Sequence, residues 1–227
     1  MSHQFLTTDQ SHLNQEEYKK NMKFGPKYKI ARRLGPNVFD KTETPKFALR
    51  AKAKEMKKSR SKMKPKAKSD FGLQLLEKQK AKVTYGISEK KFYNYVHAIL
   101  SQRGANSQDE LIQDLELRLD NVIYRIGFTK SRQASRQMVN HGHIDVNGMR
   151  INIPSYKVKL GDVISIRERS KAKPLFKALD EGLKDTVCPS WISFDKSTKI
   201  AKIQGMPKLS PAEVKFDISA IFQYYSR

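Results

Sequence analysis

Five polar residues between positions 130 and 136 have the types and spacing best suited to binding a ligand. Lys130, Ser131, Arg132, Gln133 and Arg136 crowd the start and one side of a short predicted helix. A helix N-terminus carries partial positive charge and free N–H groups, so it suits a phosphate. Lysine and arginine beside it add charge, and arginine adds forked hydrogen bonds. A solvated helix surface is the alternative for either arginine alone, but the whole cluster on so basic a chain indicates RNA.

Two further groups of residues extend this predicted RNA-binding surface. Loops bordering the same face contain His141, His143, Asn147 and Lys157. A basic segment nearer the N-terminus contains Arg32, Arg33, Arg50, Lys52, Lys57, Lys58 and Arg60. Between Lys41 and Lys68 the sequence has twelve basic and two acidic residues. Such a block repels itself, so we expect it to order on binding RNA, with a merely solvated linker as the alternative.

The elements around the five-residue cluster are predicted from a change in hydrophobic period. Apolar residues recur at three- and four-residue steps from Leu119 to Ile126, which indicates a helix, and Gly127 ends it. Ser131 caps a second helix that runs through Asn140. Beyond it, apolar and polar residues alternate on both sides of Asn147-Gly148, the sequence of a hairpin turn. The predicted fold class is therefore α+β, with two helices on a small, curved antiparallel sheet.

Helix signals also precede this module. Ser69-Asp70 caps a helix that contains Leu73 and Leu76, which are predicted to face the core, and that stops at Tyr85-Gly86. Ser107 and Glu110 form a capping box, in which each side chain satisfies a free N–H group. It starts a helix predicted to carry Leu111, Leu115 and Leu119.

The predicted organisation has five segments. Residues 1–24 are a polar, flexible extension, and 25–68 are a basic arm, extended with short turns because two Gly-Pro pairs interrupt it. Residues 69–115 are a helical domain and 116–175 the RNA-binding module. Residues 176–227 are a C-terminal hairpin and helix that pack back on the helical domain. Trp191 in this last segment is interpreted as a packing residue, with stacking on a base as the alternative.

Composition limits the class of partner. The 227 residues include 45 Lys and Arg against 23 Asp and Glu, for a net charge of +22. One-sided charge opposes compaction, so the excess indicates a polyanion. No apolar run approaches the length of a membrane-spanning helix, and the polar N-terminus does not resemble a signal peptide. Membrane is therefore not a predicted partner.

The sequence also resembles a known family. The runs RLDNVIYRIGF, TKSRQASRQMVNHGHIDVNG and INIPSYKV resemble the S-four RNA-binding module. The flanking runs SDFGLQLLEKQKAKVTYGISEKKFYNYV, GDVISIRERSKAK, PSWISFD and FQYYSR resemble the bacterial ribosomal protein S-four family. The resemblance covers roughly residues 26 to 227.

The resemblance implies a function and partners. It implies a structural protein that binds a multi-helix junction of 16S rRNA, nucleates assembly of the small subunit and contributes to translational accuracy. Its implied neighbours are ribosomal proteins S-three and S-five. The messenger RNA, near its entry path into the subunit, is also an implied partner. The implied location is a ribosome in the bacterial cytoplasm, with an organelle ribosome as the alternative.

No cofactor or metal is predicted. Some members of the family carry a four-cysteine zinc site near the N-terminus, but the corresponding run KFALRAKAKEMKKSRSKMKPKAKS has neither cysteine nor histidine. Cys188 is the single cysteine, which excludes an internal disulfide, and it is interpreted as a small, half-buried apolar residue.

The alternative function is an RNA-modifying enzyme or a free-standing regulator that uses the same module. Arg118-Leu119-Asp120 is similar to the element that holds the catalytic aspartate of pseudouridine synthases. Here it lies inside a predicted amphipathic helix, and only about a hundred residues follow it. A glycine-rich loop for a methyltransferase cofactor is not found in the sequence. We therefore predict no enzymatic activity.

Overall fold

The protein is described by a computed structural model covering residues 25–59, 67–102, 107–177, 179, 183, 188–208 and 213–227. The prediction for residues 1–24 lies outside these ranges. The α+β class is confirmed. Helices lie at Lys27–Leu34 (α1), Pro45–Ser59 (α2), Asp70–Tyr85 (α3), Glu89–Gln102 (α4), Ser107–Glu116 (α5), Leu119–Ile126 (α6), Arg132–Asn140 (α7), Glu168–Lys171 (α8), Pro174–Lys177 (α9) and Ile218–Tyr225 (α10). Strands lie at Ile144–Val146 (β1), Met149–Ile151 (β2), Val163–Ile166 (β3), Ile192–Asp195 (β4) and Ile200–Ile203 (β5).

The described part of the basic arm is helical, whereas the sequence predicted an extended chain. α1 follows directly after Pro26, and Pro36 begins a short 3₁₀ turn. Proline is compatible with the first turn of a helix because the N–H group that it lacks has no partner there. Leu34 then packs with Val38 and with Val83 of α3. The arm is thus attached to the helical domain by apolar contacts.

α3 has the predicted ends but a different buried face. Ser69 caps it by accepting the Gly72 N–H at 3.3 Å, and Gly86 ends it in the left-handed conformation. Leu73, which was predicted to face the core, is 50 % exposed. The inward positions include Gln74 and Lys78, because α10 covers this side of α3 and offers polar and aromatic partners.

The helix predicted to run from Ser107 past Leu119 is broken in two. Arg118 is extended, with φ −68° and ψ 135°, and it separates α5 from α6. At the break the Leu117 carbonyl accepts the Val158 N–H at 2.9 Å, and the Leu119 N–H donates to the Tyr156 carbonyl at 2.9 Å. These bonds to a distant segment compensate for the lost helical bonds, which periodicity could not reveal.

The RNA-binding module agrees closely with its prediction. β1 and β2 pair antiparallel, with Val146 opposite Met149. Asn147 and Gly148 form the turn with φ of 51° and 79°. Positive φ at both positions is what a two-residue hairpin requires. α6, α7 and the strands enclose one apolar core.

The C-terminal segment divides between two domains. β4 and β5 form the predicted hairpin, but β5 pairs with β3, which completes a sheet of order β2-β1-β3-β5-β4. The hairpin therefore extends the module instead of packing on the helical domain. Trp191, which is 5 % exposed, belongs to the module core, in agreement with the packing interpretation. Among the described residues, Phe216 and the following α10 return to the helical domain, where Ile221 is fully buried.

Candidate nucleic-acid interface

The start of α7 is a capped helix N-terminus, as the sequence predicts. Ser131 Oγ accepts the Ala134 N–H at 3.3 Å. Lys130 and Gln133 are exposed, whereas Arg132 is half-buried. The five-residue cluster therefore combines exposed side chains with others that make contacts inside the protein.

Arg136 connects the module to the helical domain. Its Nε and Nη2 donate to Asp120 Oδ2 at 2.9 and 2.6 Å. Its Nη1 donates to the Gly86 carbonyl, and its Nη2 also donates to the Tyr85 carbonyl at 3.2 Å. These carbonyls lie at the C-terminus of α3, where the helix dipole is negative. One guanidinium thus ties α6 and α7 to the end of α3.

Arg132 lies against two aromatic rings. Its guanidinium carbon is 4.3 Å from the centroid of Tyr124 and 5.0 Å from that of Tyr85. Its Nε donates to Asn121 Oδ1 at 2.7 Å. Cation–π contacts and this hydrogen bond hold the charge at a fixed place on the module surface.

Two buried carboxylates organise the side chains beneath α7. Glu116 accepts two hydrogen bonds from Arg125, both at 2.8 Å, and one from the Tyr85 hydroxyl at 2.6 Å. Burial raises the pKa of Glu116, but the bonds and charge of Arg125 outweigh burial and lower it overall. Burial, followed by the charge of Glu116, raises the pKa of Tyr85 well above its ordinary value. Glu116 therefore stays ionised and Tyr85 neutral.

Asp120 is the second buried carboxylate. It accepts hydrogen bonds from Arg118 Nε at 3.1 Å and Arg118 Nη2 at 2.8 Å, in addition to those from Arg136. Three arginines thus pair with two carboxylates, Glu116 and Asp120, so the net charge of the network is positive. Because both oxygens of Asp120 are occupied and the residue is 2 % exposed, it does not have the open setting of a catalytic base.

The start of α7 faces the arm across a cleft of about 430 Å³. Within the described part of the chain, every charged residue lining this cleft is basic. Lys27 and Lys41 come from the arm, and Lys130 comes from the module. We call it the arm–module cleft, and its lining residues are Lys27, Val38, Phe39, Lys41, Val83, Thr84, Tyr85, Gly86, Lys130, Ser131, Arg132, Gln133 and Arg136. All five residues of the predicted cluster are among them.

The four predicted loop residues do not share this cleft. His141 is exposed at the end of α7. His143 is 8 % exposed, with Nδ1 2.9 Å from Ser170 Oγ and its ring edge-on to Phe176. Burial first, and then the charges of Lys173, His141 and Arg150, lower the pKa of His143. The His143 side chain is therefore enclosed by the module and is not part of its outer surface.

Asn147 and Lys157 make structural contacts. Asn147 Nδ2 donates to Asp162 Oδ1 at 2.8 Å, and its Oδ1 accepts the Val163 N–H at 2.9 Å, so its side chain supports the hairpin turn. Lys157 is largely exposed and pairs with Asp114. Whether either residue also contacts RNA stays a prediction.

The predicted arm residues are distributed over α1 and α2. Arg32, Arg33, Arg50 and Lys52 are exposed. Lys57 and Lys58 lie near the end of α2, and Arg60 lies outside the described residues. Sequence reasoning missed Lys27 and Lys41, although both lie within its basic arm. It assigned Tyr85 and Gly86 only to the end of α3, because nothing local to them indicates that α7 packs there.

Over the described ranges, no three or more histidine, cysteine, aspartate or glutamate side chains lie together in a way that could hold a metal ion. The prediction of no zinc stays a prediction. In the same ranges, no helix has both the length and the apolar character needed to cross a bilayer.

Comparison with known proteins agrees with this organisation. The ribosomal protein S4/S9 N-terminal domain matches residues 22–116, and the S4 domain matches residues 117–164. The junction between the two matches coincides with the break between α5 and α6. The fold and the S4 domain match therefore place the chain in the class of proteins with an S4 domain.

Full-length relatives specify the family. The chain is 38 % identical to small ribosomal subunit protein uS4 of Aquifex aeolicus over 206 residues, or 89 % of this chain and 97 % of the relative. It is 43 % identical to that of Granulibacter bethesdensis over 205 residues, or 88 % and 97 %. It is 42 % identical to that of Lachnospira eligens over 173 residues, or 75 % and 87 %. The chain belongs to the uS4 family of small ribosomal subunit proteins.

Proposed function

We propose that this protein is a structural constituent of the small ribosomal subunit that binds a multi-helix junction of 16S rRNA. Binding would nucleate assembly of the subunit body and contribute to translational accuracy. Membership of the uS4 family supports the ribosomal role. The observation that carries the RNA-binding proposal is the arm–module cleft, whose charged lining residues are all basic and come from both sides.

The proposed mechanism is positioning. Lys27 and Lys41 on one side and Lys130 on the other would contact phosphates, and the shape of the junction would supply specificity. Arg136 ties the module to the end of α3 through its bonds to Asp120 and Gly86. The arm is attached to the same helix by the apolar contacts of Leu34 and Val38, so α3 holds the two sides of the cleft in a fixed relation. A preformed cleft loses little conformational entropy when it binds RNA. Its contacts with the RNA therefore offset the entropy that the RNA helices lose when they are held together.

The proposal extends to neighbours and location. We propose that the protein works in ribosomes of the bacterial cytoplasm, beside ribosomal proteins S-three and S-five and near the messenger RNA. This part rests on family membership alone. Crosslinking in cells, followed by sequencing of the attached RNA, tests it, and recovery of scattered messengers or transfer RNAs would contradict it.

The cleft is tested by removing three charges at once. We expect Lys27→Ala, Lys41→Ala and Lys130→Ala, combined in one variant, to weaken binding to a 16S rRNA junction. The log–log salt dependence should flatten by up to about one unit for each lost phosphate contact. The matched control replaces Lys90, Lys91 and Lys208, which are exposed and do not line the cleft. Equal losses in the two variants would show that net charge, not the cleft, binds the RNA.

The enzyme alternative has its own test. Asp120 is enclosed by Arg118 and Arg136, which does not favour a pseudouridine synthase. Formation of pseudouridine or a methylated base in ribosomal RNA by the purified protein would overturn the structural proposal. Sedimentation of the protein apart from ribosomal particles in growing cells would do the same.

A further inference from the structure

A second cleft lies within the arm, between α1 and α2. It has a volume of about 390 Å³, and its aromatic lining residues are Tyr28 and Phe47. Among the described residues, none lines both this cleft and the arm–module cleft. We call it the arm cleft, and its lining residues are Tyr28, Arg32, Thr44, Lys46, Phe47, Arg50, Ala51 and Lys54.

The two aromatic rings differ in exposure. Their centroids are 5.9 Å apart, with 31° between the ring planes. Phe47 is 9 % exposed, whereas Tyr28 is 48 % exposed. Phe47 is therefore an apolar floor, and Tyr28 is a ring that remains accessible beside it. Accessible aromatic rings in a basic groove are the usual stacking surface for unpaired bases.

The charged residues in the described lining of the arm cleft are all basic. Within the described residues, the charged members of the lining are Arg32, Lys46, Arg50 and Lys54. Arg32 Nε donates to the Tyr28 carbonyl at 3.2 Å, which holds this guanidinium near the tyrosine. Glu43, which precedes the cleft in the sequence, is paired with Lys215 on a different segment. The cleft thus combines an apolar floor with a cationic rim, and an uncharged apolar ligand would leave that rim without a partner.

We propose that the arm cleft binds one unpaired nucleotide of an RNA strand. The base would lie against Tyr28 and Phe47, and the adjacent phosphate would contact Arg32 and Arg50. The volume accommodates a single base with its ribose. This inference rests on the proposed function, since it takes ribosomal RNA as the partner. It adds to that function a site that binds an unpaired nucleotide. Phosphate contacts alone would not need the accessible ring.

The test uses a fluorescent base in the full-length protein. The probe is a single-stranded pentauridine RNA with a central 2-aminopurine, a base whose fluorescence falls when it stacks on an aromatic ring. We expect quenching on binding, and we expect Tyr28→Leu to weaken binding about fivefold or more and to reduce the quenching. Tyr28→Phe should retain both signals because it keeps the ring.

Two controls make the result specific. Tyr93→Leu removes a tyrosine of similar exposure, 47 %, from α4 and should leave the probe signals unchanged. Arg32→Gln with Arg50→Gln should weaken binding and flatten its salt dependence, while quenching at saturation persists. Loss of quenching with Tyr93→Leu, or full retention with Tyr28→Leu, would overturn the site.

Three outcomes separate this inference from the functions around it. If 2-aminopurine riboside monophosphate binds as tightly as the pentanucleotide, the cleft takes free nucleotides, and the RNA proposal is wrong. If the 16S rRNA junction is bound but the probe is not quenched, this inference fails and the proposed function stands. Failure to bind the junction would instead contradict the proposed function itself.

Discussion

Arg136 and Lys130 lie six positions apart at the start of α7, and their surroundings give them different roles. Arg136 is largely enclosed and bonded to Asp120, Tyr85 and Gly86. Lys130 is exposed at the edge of the arm–module cleft. A loss of RNA binding on replacing Arg136 would therefore report the joint between domains as well as any phosphate contact.

The role of Arg136 can be measured without RNA. Arg136→Ala removes its bonds to a carboxylate that is only 3 % exposed, and it leaves two carbonyls without this donor. We expect the free energy of unfolding, measured with urea, to fall by about 2–4 kcal/mol. The free energy of unfolding should fall less in Arg136→Lys, because one charged donor remains.

Exposed neighbours on the same segment provide the comparison. Lys130→Ala and Gln133→Ala should each stay within about 0.5 kcal/mol of the unsubstituted protein. Wild-type stability in Arg136→Ala would show that the domains are not joined through this side chain.

At the scale of elements, Glu89 joins three helices. This residue in the first turn of α4 accepts hydrogen bonds from two lysines of α3, Lys78 at 2.7 Å and Lys82 at 2.9 Å. It also accepts one from the hydroxyl of Tyr225 in α10, at 2.9 Å. Burial would raise its pKa, but these hydrogen bonds lower the pKa to about 2. The unfolded chain, with an ordinary glutamate pKa near 4.3, binds the proton more readily.

The pH dependence of stability follows from this difference. Since the folded-state pKa is depressed, the contribution of Glu89 is present above about pH 4.5 and is lost as the pH falls toward 2. Glu89→Gln should be less stable than the wild type at pH 6 in urea unfolding, and the gap should narrow on acidification. Asp109→Asn, which removes an exposed carboxylate from α5, is the control. A constant gap at every pH would contradict the assigned role of the Glu89 charge.

At the scale of the whole molecule, the described clefts lie on the arm and the module. The described lining residues of the two clefts lie between positions 27 and 136, and the polar extension of residues 1–24 is predicted from the sequence to be flexible. We expect a protein that begins at Gly25 to bind the 16S rRNA junction with unchanged affinity and salt dependence, measured by filter binding. A large loss of affinity would mean that the N-terminal extension belongs to the binding surface.

Local signals in the sequence predicted much of the fold, but they did not determine which faces are covered. Ser69, Ser131 and Asn147-Gly148 lie at the predicted ends and turn, because caps and hairpin turns depend on neighbouring backbone groups. The inward face of α3 was predicted wrongly, because α10, over a hundred residues away in sequence, covers Gln74 and Lys78. The break before α6 was missed for a similar reason, since its hydrogen-bond partners come from a distant loop.

The candidate RNA-binding site shows the same division between what local sequence signals predict and what packing decides. Five basic and polar residues at the start of α7 were identified from their types and spacing, and the family from its motifs. The sequence by itself thus determined the chemistry of the surface, since charge and helix capping are local properties. Only the tertiary structure decided which charges face solvent and which hold the domains together. That choice depends on Asp120 and the end of α3 lying beside α7, and such proximity is produced by packing and is not visible in residue order.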